Sequence, residues 1–205
     1  MTSMPRHTAA IAVGVATAAV TAVGLSFFRV GKPLLIVSTA VAGVAGVAVS
    51  ARREGEENDV NACIKSGNAK YGIGDYQGSI EDFSKALIID PQYALAYYNR
   101  GNAKDELEDY KGAIDDYSKA LEIDANHAIA YNNRGVANRK SGDNRAAIAD
   151  YNKALEIDSK LAVAYLNRGI SKENDGNLTG ACADWRAASA LGDEIAAKWV
   201  KESCR

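Results

Sequence analysis

The pentapeptide Tyr97-Tyr98-Asn99-Arg100-Gly101 returns as Tyr131-Asn132-Asn133-Arg134-Gly135 and again as Tyr165-Leu166-Asn167-Arg168-Gly169. The offset is 34 residues both times. A fixed period of that size marks a stacked array of small units, none of which buries its apolar face alone.

With the motif's glycine set at position 8, four units run end to end: 60–93, 94–127, 128–161 and 162–195. Position 8 is Gly67, Gly101, Gly135 and Gly169. Position 20 is Ser79, Ala113, Ala147 and Ala181; position 27 is Ala86, Ala120, Ala154 and Ala188. Position 24 is aromatic throughout: Phe83, Tyr117, Tyr151 and Trp185. Apolar or small residues fall at positions 1, 4, 8 and 10, then at 20, 21, 24, 27 and 28. That is helical spacing, so each unit reads as two helices. Gly at 8 and the small residue at 20 belong where the two helices cross, and the aromatic at 24 faces the following unit. Gly74-Asp75, Gly142-Asp143, Gly176-Asn177 and Asp90-Pro91 mark turns.

The pattern resembles the tetratricopeptide repeat family, of the membrane-anchored bacterial type. The resemblance implies an all-α superhelix of four helix-turn-helix units, closed by a capping helix within 193–205. For the cap, Asp193–Ser203 offers the stripe Ile195, Ala196, Trp199 and Val200. It also implies a concave groove, lined by the first helices, that binds a protein or peptide partner. Groove-facing positions 2, 5, 9, 12 and 13 supply Asn61, Ile64, Asn68, Tyr71 and Gly72 in unit one, and Leu95, Tyr98, Asn102, Asp105 and Glu106 in unit two. Units three and four supply Ile129, Asn132, Val136, Arg139 and Lys140, then Val163, Leu166, Ile170, Glu173 and Asn174.

Departures from the family pattern carry information. Position 7, usually Leu, is Ser66, Arg100, Arg134 and Arg168, and position 11 is Lys70, Lys104, Asn138 and Lys172. A guanidinium between helices requires a carboxylate. Position 23 offers one per unit: Asp82, Asp116, Asp150 and Asp184. An Arg–Asp ladder of structural role is therefore expected. Relatives that hold a chaperone's C-terminal carboxylate use a cationic clamp. Asn68 and Asn99 match it, but its basic places hold Ile64, Ile129 and Asn133, so that ligand loses its charge-assisted bonds.

The first fifty residues have another character. Thr8 to Phe28 and Pro33 to Ser50 carry no charge, while Arg6, Arg29, Lys32, Arg52 and Arg53 sit at the ends and the turn. An apolar helix of about 20 residues spans a bilayer. Residues 1–53 therefore read as a transmembrane hairpin with helices over about 8–28 and 33–50, followed by an acidic linker at 54–59. A cleaved secretory signal in residues 1–22 and a buried hairpin in a soluble protein are the alternatives. A margin of one basic residue places both termini, and the repeats, on the cytoplasmic side of an integral membrane protein.

Residues 1–53 hold five of the 24 basic residues and no acid, which leaves 19 bases against all 26 acids in the remainder. That surplus disfavours a phosphate-binding surface, hence no nucleic-acid partner is expected. Cys63, Cys182 and Cys204 read as small core residues, with a Cys182–Cys204 bridge as the sharper alternative. His7 and His127 lack companions for a metal or a nucleophile, and Gly72-Ile73-Gly74 has no strand before it to form a nucleotide loop. No enzyme, cofactor or metal is expected. The reading is a membrane-tethered scaffold that recruits a protein, for instance in assembling a membrane complex. The alternative is a structural subunit packed permanently in an oligomer or larger complex.

Overall fold

A computed structural model describes residues 57–204. The expected hairpin segments 8–28 and 33–50 lie outside the described residues, as does 54–56 of the linker. Among the described residues no helix is long and apolar enough to cross a membrane.

Among the described residues nine helices follow one another: α1 (57–72), α2 (Tyr76–Ile89), α3 (Ala94–Glu106), α4 (Tyr110–Ile123), α5 (Ala128–Lys140), α6 (Asn144–Ile157), α7 (Ala162–Asn174), α8 (Leu178–Ala190) and α9 (Glu194–Ser203). Helix α1 already includes 57–59, so half of the expected linker is helical. Each first helix packs on its own second helix and each second helix on the next unit. The first helices also meet, α3 with α5 and α5 with α7. The result is an all-α superhelix of four pairs with α9 as its cap.

Helix boundaries come from local chemistry. Asp75, Asp109, Asp143, Asn177 and Asp193 cap α2, α4, α6, α8 and α9, each accepting a hydrogen bond from the backbone N–H three residues on. Such a cap contributes about 1 kcal/mol. Asp90, Asp124 and Asp158 end the second helices, and each carboxylate accepts from the N–H two residues ahead, turning the chain into the next unit. Between paired helices, Gly74, Gly142 and Gly176 take positive φ, and Glu108 takes the same place in unit two at φ 60°.

Every aromatic at position 24 is almost fully buried. It packs first on the glycine of its own unit. A Cβ on Gly67 would lie 2.6 Å from the Phe83 ring, and one on Gly135 2.7 Å from the Tyr151 ring. Phe83 also joins Ala86 and Leu87 against Ala96 of the next unit, as expected. At the far end Trp185 meets Trp199 edge to face at 5.2 Å. Ala196, Trp199 and Val200 cover that core, whereas Ile195 of the expected stripe is 55 % exposed. The stripe is thus narrower than its apolar residues imply. Cys182 and Cys204 are joined in a disulfide that ties α8 to the end of α9. The reading of both as plain core residues gives way to the bridge. Cys63 is a free thiol.

Candidate protein-binding groove

The recurring pentapeptide resolves into separate tasks. Its Arg holds the position-23 Asp of its own unit through two parallel bonds, for example Arg100 Nε and Nη2 to Asp116 at 2.8 and 2.7 Å. Arg134–Asp150 and Arg168–Asp184 repeat the arrangement. The remaining Nη1 donates to position 25 of the preceding unit: Ser84, Ser118 and Asn152. The guanidinium also lies over the motif's own Tyr97, Tyr131 or Tyr165, 5.4–5.5 Å from the ring centroid. Each Arg therefore joins two units with all three guanidinium nitrogens engaged inside the array.

Position 11 completes the ladder. Lys70, Lys104 and Lys172 pair with Asp82, Asp116 and Asp184, and Asn138 donates to Asp150. The spacing carried that signal, since position 11 lies one turn beyond position 7 on the same face. In unit one, where no preceding repeat is described, Ser66 replaces Arg and donates to Asp82. Together with Lys70 and Lys85 it holds the Asp82 carboxyl far below the usual carboxylate range.

The motif's Asn forms a second ladder between first helices. Asn99 donates to Asn68, Asn133 to Asn102 and to Tyr98 Oη, and Asn167 to Asn132. In unit four the acceptor shifts to Asn132 because position 9 of unit three is Val136, which cannot accept. The same exchange bears on Tyr151. Tyr117 donates to Asn102 at 2.7 Å, whereas the buried hydroxyl of Tyr151 has no position-9 amide to meet and sits beside Arg139 and Ser171 instead.

The groove candidates separate accordingly. Ile64 and Leu166 are 7 % and 8 % exposed and belong to the terminal core clusters. Both were expected in the groove at position 5, and their side chains pack into those clusters. Asn132 is also buried, within the amide ladder. Ile170 is half-buried against the last core, and Arg139 Nε is buried without a partner. Asn61, Gly72, Glu173 and Asn174 are exposed, Asn174 reaching only Asn144. Leu95, Ile129 and Val163 repeat at position 2 and are 43 %, 50 % and 41 % exposed.

The remaining candidates converge. Tyr71, Tyr98, Asn102, Asp105, Glu106 and Val136, with Tyr117 and Asn133, line a cavity of about 320 Å³. Glu106 accepts from Tyr71 Oη at 3.2 Å, and Asp105 is ion-paired to Lys140 at 2.7 Å. Burial and then the Glu106 charge push the Tyr71 phenol up to about 12. His127, which lacks companions for a metal or a nucleophile in the sequence, stacks on Tyr98 at 4.8 Å and caps α5 by accepting from the N–H of Ala130. Its position just before an apolar helical run was the available signal.

The geometry agrees with sequence comparison. The profile described as "Tetratricopeptide repeat" matches residues 94–127 and 128–161, the boundaries read here for units two and three. A second, "TPR repeat", matches 67–105. The chain carries tetratricopeptide repeats. No curated protein matches it significantly. Solved structures of similar fold include a crystal structure of MamA, 26 % identical with a TM-score of 0.64, covering 70 % of this chain and 84 % of that one. A MamA from Desulfovibrio magneticus RS-1, residues 41 to the end, is 23 % identical, TM-score 0.63, covering 66 % and 77 %. The first TPR of Spaghetti (RPAP3) bound to an HSP90 peptide is 22 % identical, TM-score 0.57, covering 58 % and 94 %. These likenesses support the tetratricopeptide fold of units one to four.

Proposed function

We propose that this chain is a membrane-tethered protein-interaction scaffold whose groove holds an extended segment of a partner protein, in the assembly of a membrane complex. One observation carries the reading. The recurring charges of the repeats are consumed internally, while the irregular residues Tyr71, Tyr98, Asp105 and Glu106 surround an open cavity between first helices. Tetratricopeptide arrays serve as protein-binding scaffolds, and the peptide-bound Spaghetti neighbour presents the same fold. In this reading residues 8–28 and 33–50 supply the tether; their uncharged length and flanking bases support it.

The test is a crosslinking pull-down of the intact chain from membranes, compared with Leu95→Ser plus Ile129→Ser. Both side chains are exposed and neither supports the core, so the fold is preserved. Asn102 is a poor probe, because its loss would orphan Tyr117 and Asn133. Loss of specific partners from the variant supports the groove. An unchanged partner list sinks it. Retention of the chain in the membrane pellet after alkaline carbonate extraction tests the tether.

A further inference from the structure

We propose that the cavity between α1, α3 and α5 is a receptor for a basic side chain, a lysine ammonium or arginine guanidinium, presented by the partner polypeptide. The inference rests on the groove-binding function above and names the chemistry of its ligand.

The wall is built for a cation. Three phenol rings, Tyr71, Tyr98 and Tyr117, stand around two carboxylates, Asp105 and Glu106. Aromatic faces attract a desolvated cation and carboxylates give it charge-assisted hydrogen bonds. Three donors of the wall are already committed. Tyr71 donates to Glu106, Tyr117 to Asn102, and the Asn133 amide to Tyr98 Oη and Asn102. An anion would find those protons spent. One buried acceptor of the wall is left over: Asp105 Oδ1 has no hydrogen-bond partner, while Oδ2 holds Lys140. A buried carboxylate oxygen without a donor is costly, and an incoming N–H⁺ relieves that cost. The surplus of acids outside residues 1–53 points the same way.

Lys140 makes the proposal directional. Its Nζ lies 5.3 Å from the centroid of the Tyr110 ring and 2.7 Å from Asp105. It acts as the resident counter-ion that a bound basic side chain must outcompete or share. Removing it leaves the cavity one charge more negative and tightens binding of a cation, a gain that misfolding cannot imitate.

The experiment measures binding of fluorescently labelled seven-residue peptides to the full chain in detergent at low salt. The peptides share one sequence of serine and leucine and differ at the central residue, which is lysine, alanine or glutamate. The lysine peptide is expected to bind about tenfold tighter than the alanine peptide, the size of one cation–π or charge-assisted contact. The glutamate peptide is expected to bind weakest. Glu106→Gln should erase the lysine preference, and Lys140→Gln should enlarge it by about threefold to tenfold. Equal binding of the three peptides, abolished by Leu95→Ser plus Ile129→Ser, would leave the groove standing and overturn the cation receptor. Preference for the glutamate peptide, or a Lys140→Gln variant that binds lysine no better, overturns it as well. If none of the peptides binds the folded chain, the cation receptor falls, while the groove reading is decided by the pull-down with Leu95→Ser plus Ile129→Ser.

Discussion

Arg134 grips Asp150 with two parallel hydrogen bonds, Nε at 3.0 Å and Nη2 at 2.6 Å, and spends its last nitrogen on Ser118 of the preceding unit. A guanidinium does this because its donors form a rigid fork; an ammonium cannot reach three acceptors in one plane. Arg134→Lys is therefore expected to destabilise by about 1–2 kcal/mol. Asp150→Ala leaves Arg134 without its carboxylate and should cost about 3 kcal/mol. Urea unfolding followed by circular dichroism checks both. A neutral Arg134→Lys would show that the fork does not join the repeats.

The glycines of the repeats divide into two kinds. On Gly135 a Cβ would press into the Tyr151 ring, itself fully buried, so Gly135→Ala should lose about 1–3 kcal/mol to overpacking despite alanine's better helix propensity. Around Gly72 nothing lies within 4 Å, and Gly72→Ala should gain up to about 1 kcal/mol. Opposite signs from one chemical change are the readout. The same sign in both would refute the packing account.

Unit two makes its inter-helix turn at Glu108, φ 60°, where the other three units place glycine. A side chain in the left-handed region costs about 1–2 kcal/mol, part of which glycine gives back through the freer unfolded chain. Glu108→Gly should stabilise by about 0.5–1 kcal/mol. Glu108 is exposed, so no contact is lost. A fall in melting temperature would contradict the strain assignment.

How far the sequence could be read follows from what each residue answers to. Gly101 and Tyr117 answer to one neighbour at a fixed spacing within a unit, so the period of 34 exposed their packing. The Arg–Asp pairing was legible because a charge between helices demands a partner and only position 23 carries a carboxylate in all four units. Ile64, Asn132 and Leu166 share position 5 and are all buried, two in core clusters and one in the amide ladder, whereas Tyr98 at that position lines the cavity; the partners each side chain finds, not the period, decide which way it turns. The cavity drew on candidate residues from three units, but its shape depends on bonds such as Asn133 to Tyr98, 35 residues apart, in which the recurring Asn meets a Tyr that no other unit carries at that position. The disulfide stayed open for a different reason: Cys182 and Cys204 are neighbours only once α9 has docked.

Asp82 provides the pH dependence. Hydrogen bonds from Lys70, Lys85 and Ser66 depress its pKa, so the folded state releases this proton more readily than the unfolded chain. The stabilisation is fully present above the unfolded value of about 4 and is lost as pH falls through the lower folded value. Wild type should exceed Asp82→Asn in stability by a constant amount from neutral pH down to about pH 5, and the gap should narrow below about pH 4. Urea midpoints of the two proteins at stepped pH measure it. A gap that widens on acidification would reverse the sign and exclude the assignment.

The Cys182–Cys204 bridge closes a loop across 22 residues and seats the last helix, whose Trp199 covers Trp185. Cross-links over loops of that size stabilise by about 3 kcal/mol. In a repeat array each unit couples chiefly to its neighbours, so Cys204→Ser should loosen α8 and α9 first. The expected signs are red-shifted tryptophan fluorescence and faster amide exchange at the C-terminal end, with little change near Phe83. The bridge also bears on topology. A margin of one basic residue favours cytoplasmic repeats, whereas a persistent disulfide belongs to an oxidising compartment. Blocking thiols in intact cells with a permeant maleimide, before lysis and a non-reducing gel, decides between them. Protected Cys182 and Cys204 place the repeats on the oxidising side and overturn the charge-based orientation. Labelled thiols keep the repeats cytoplasmic and leave α9 held by Ala196, Trp199 and Val200 alone.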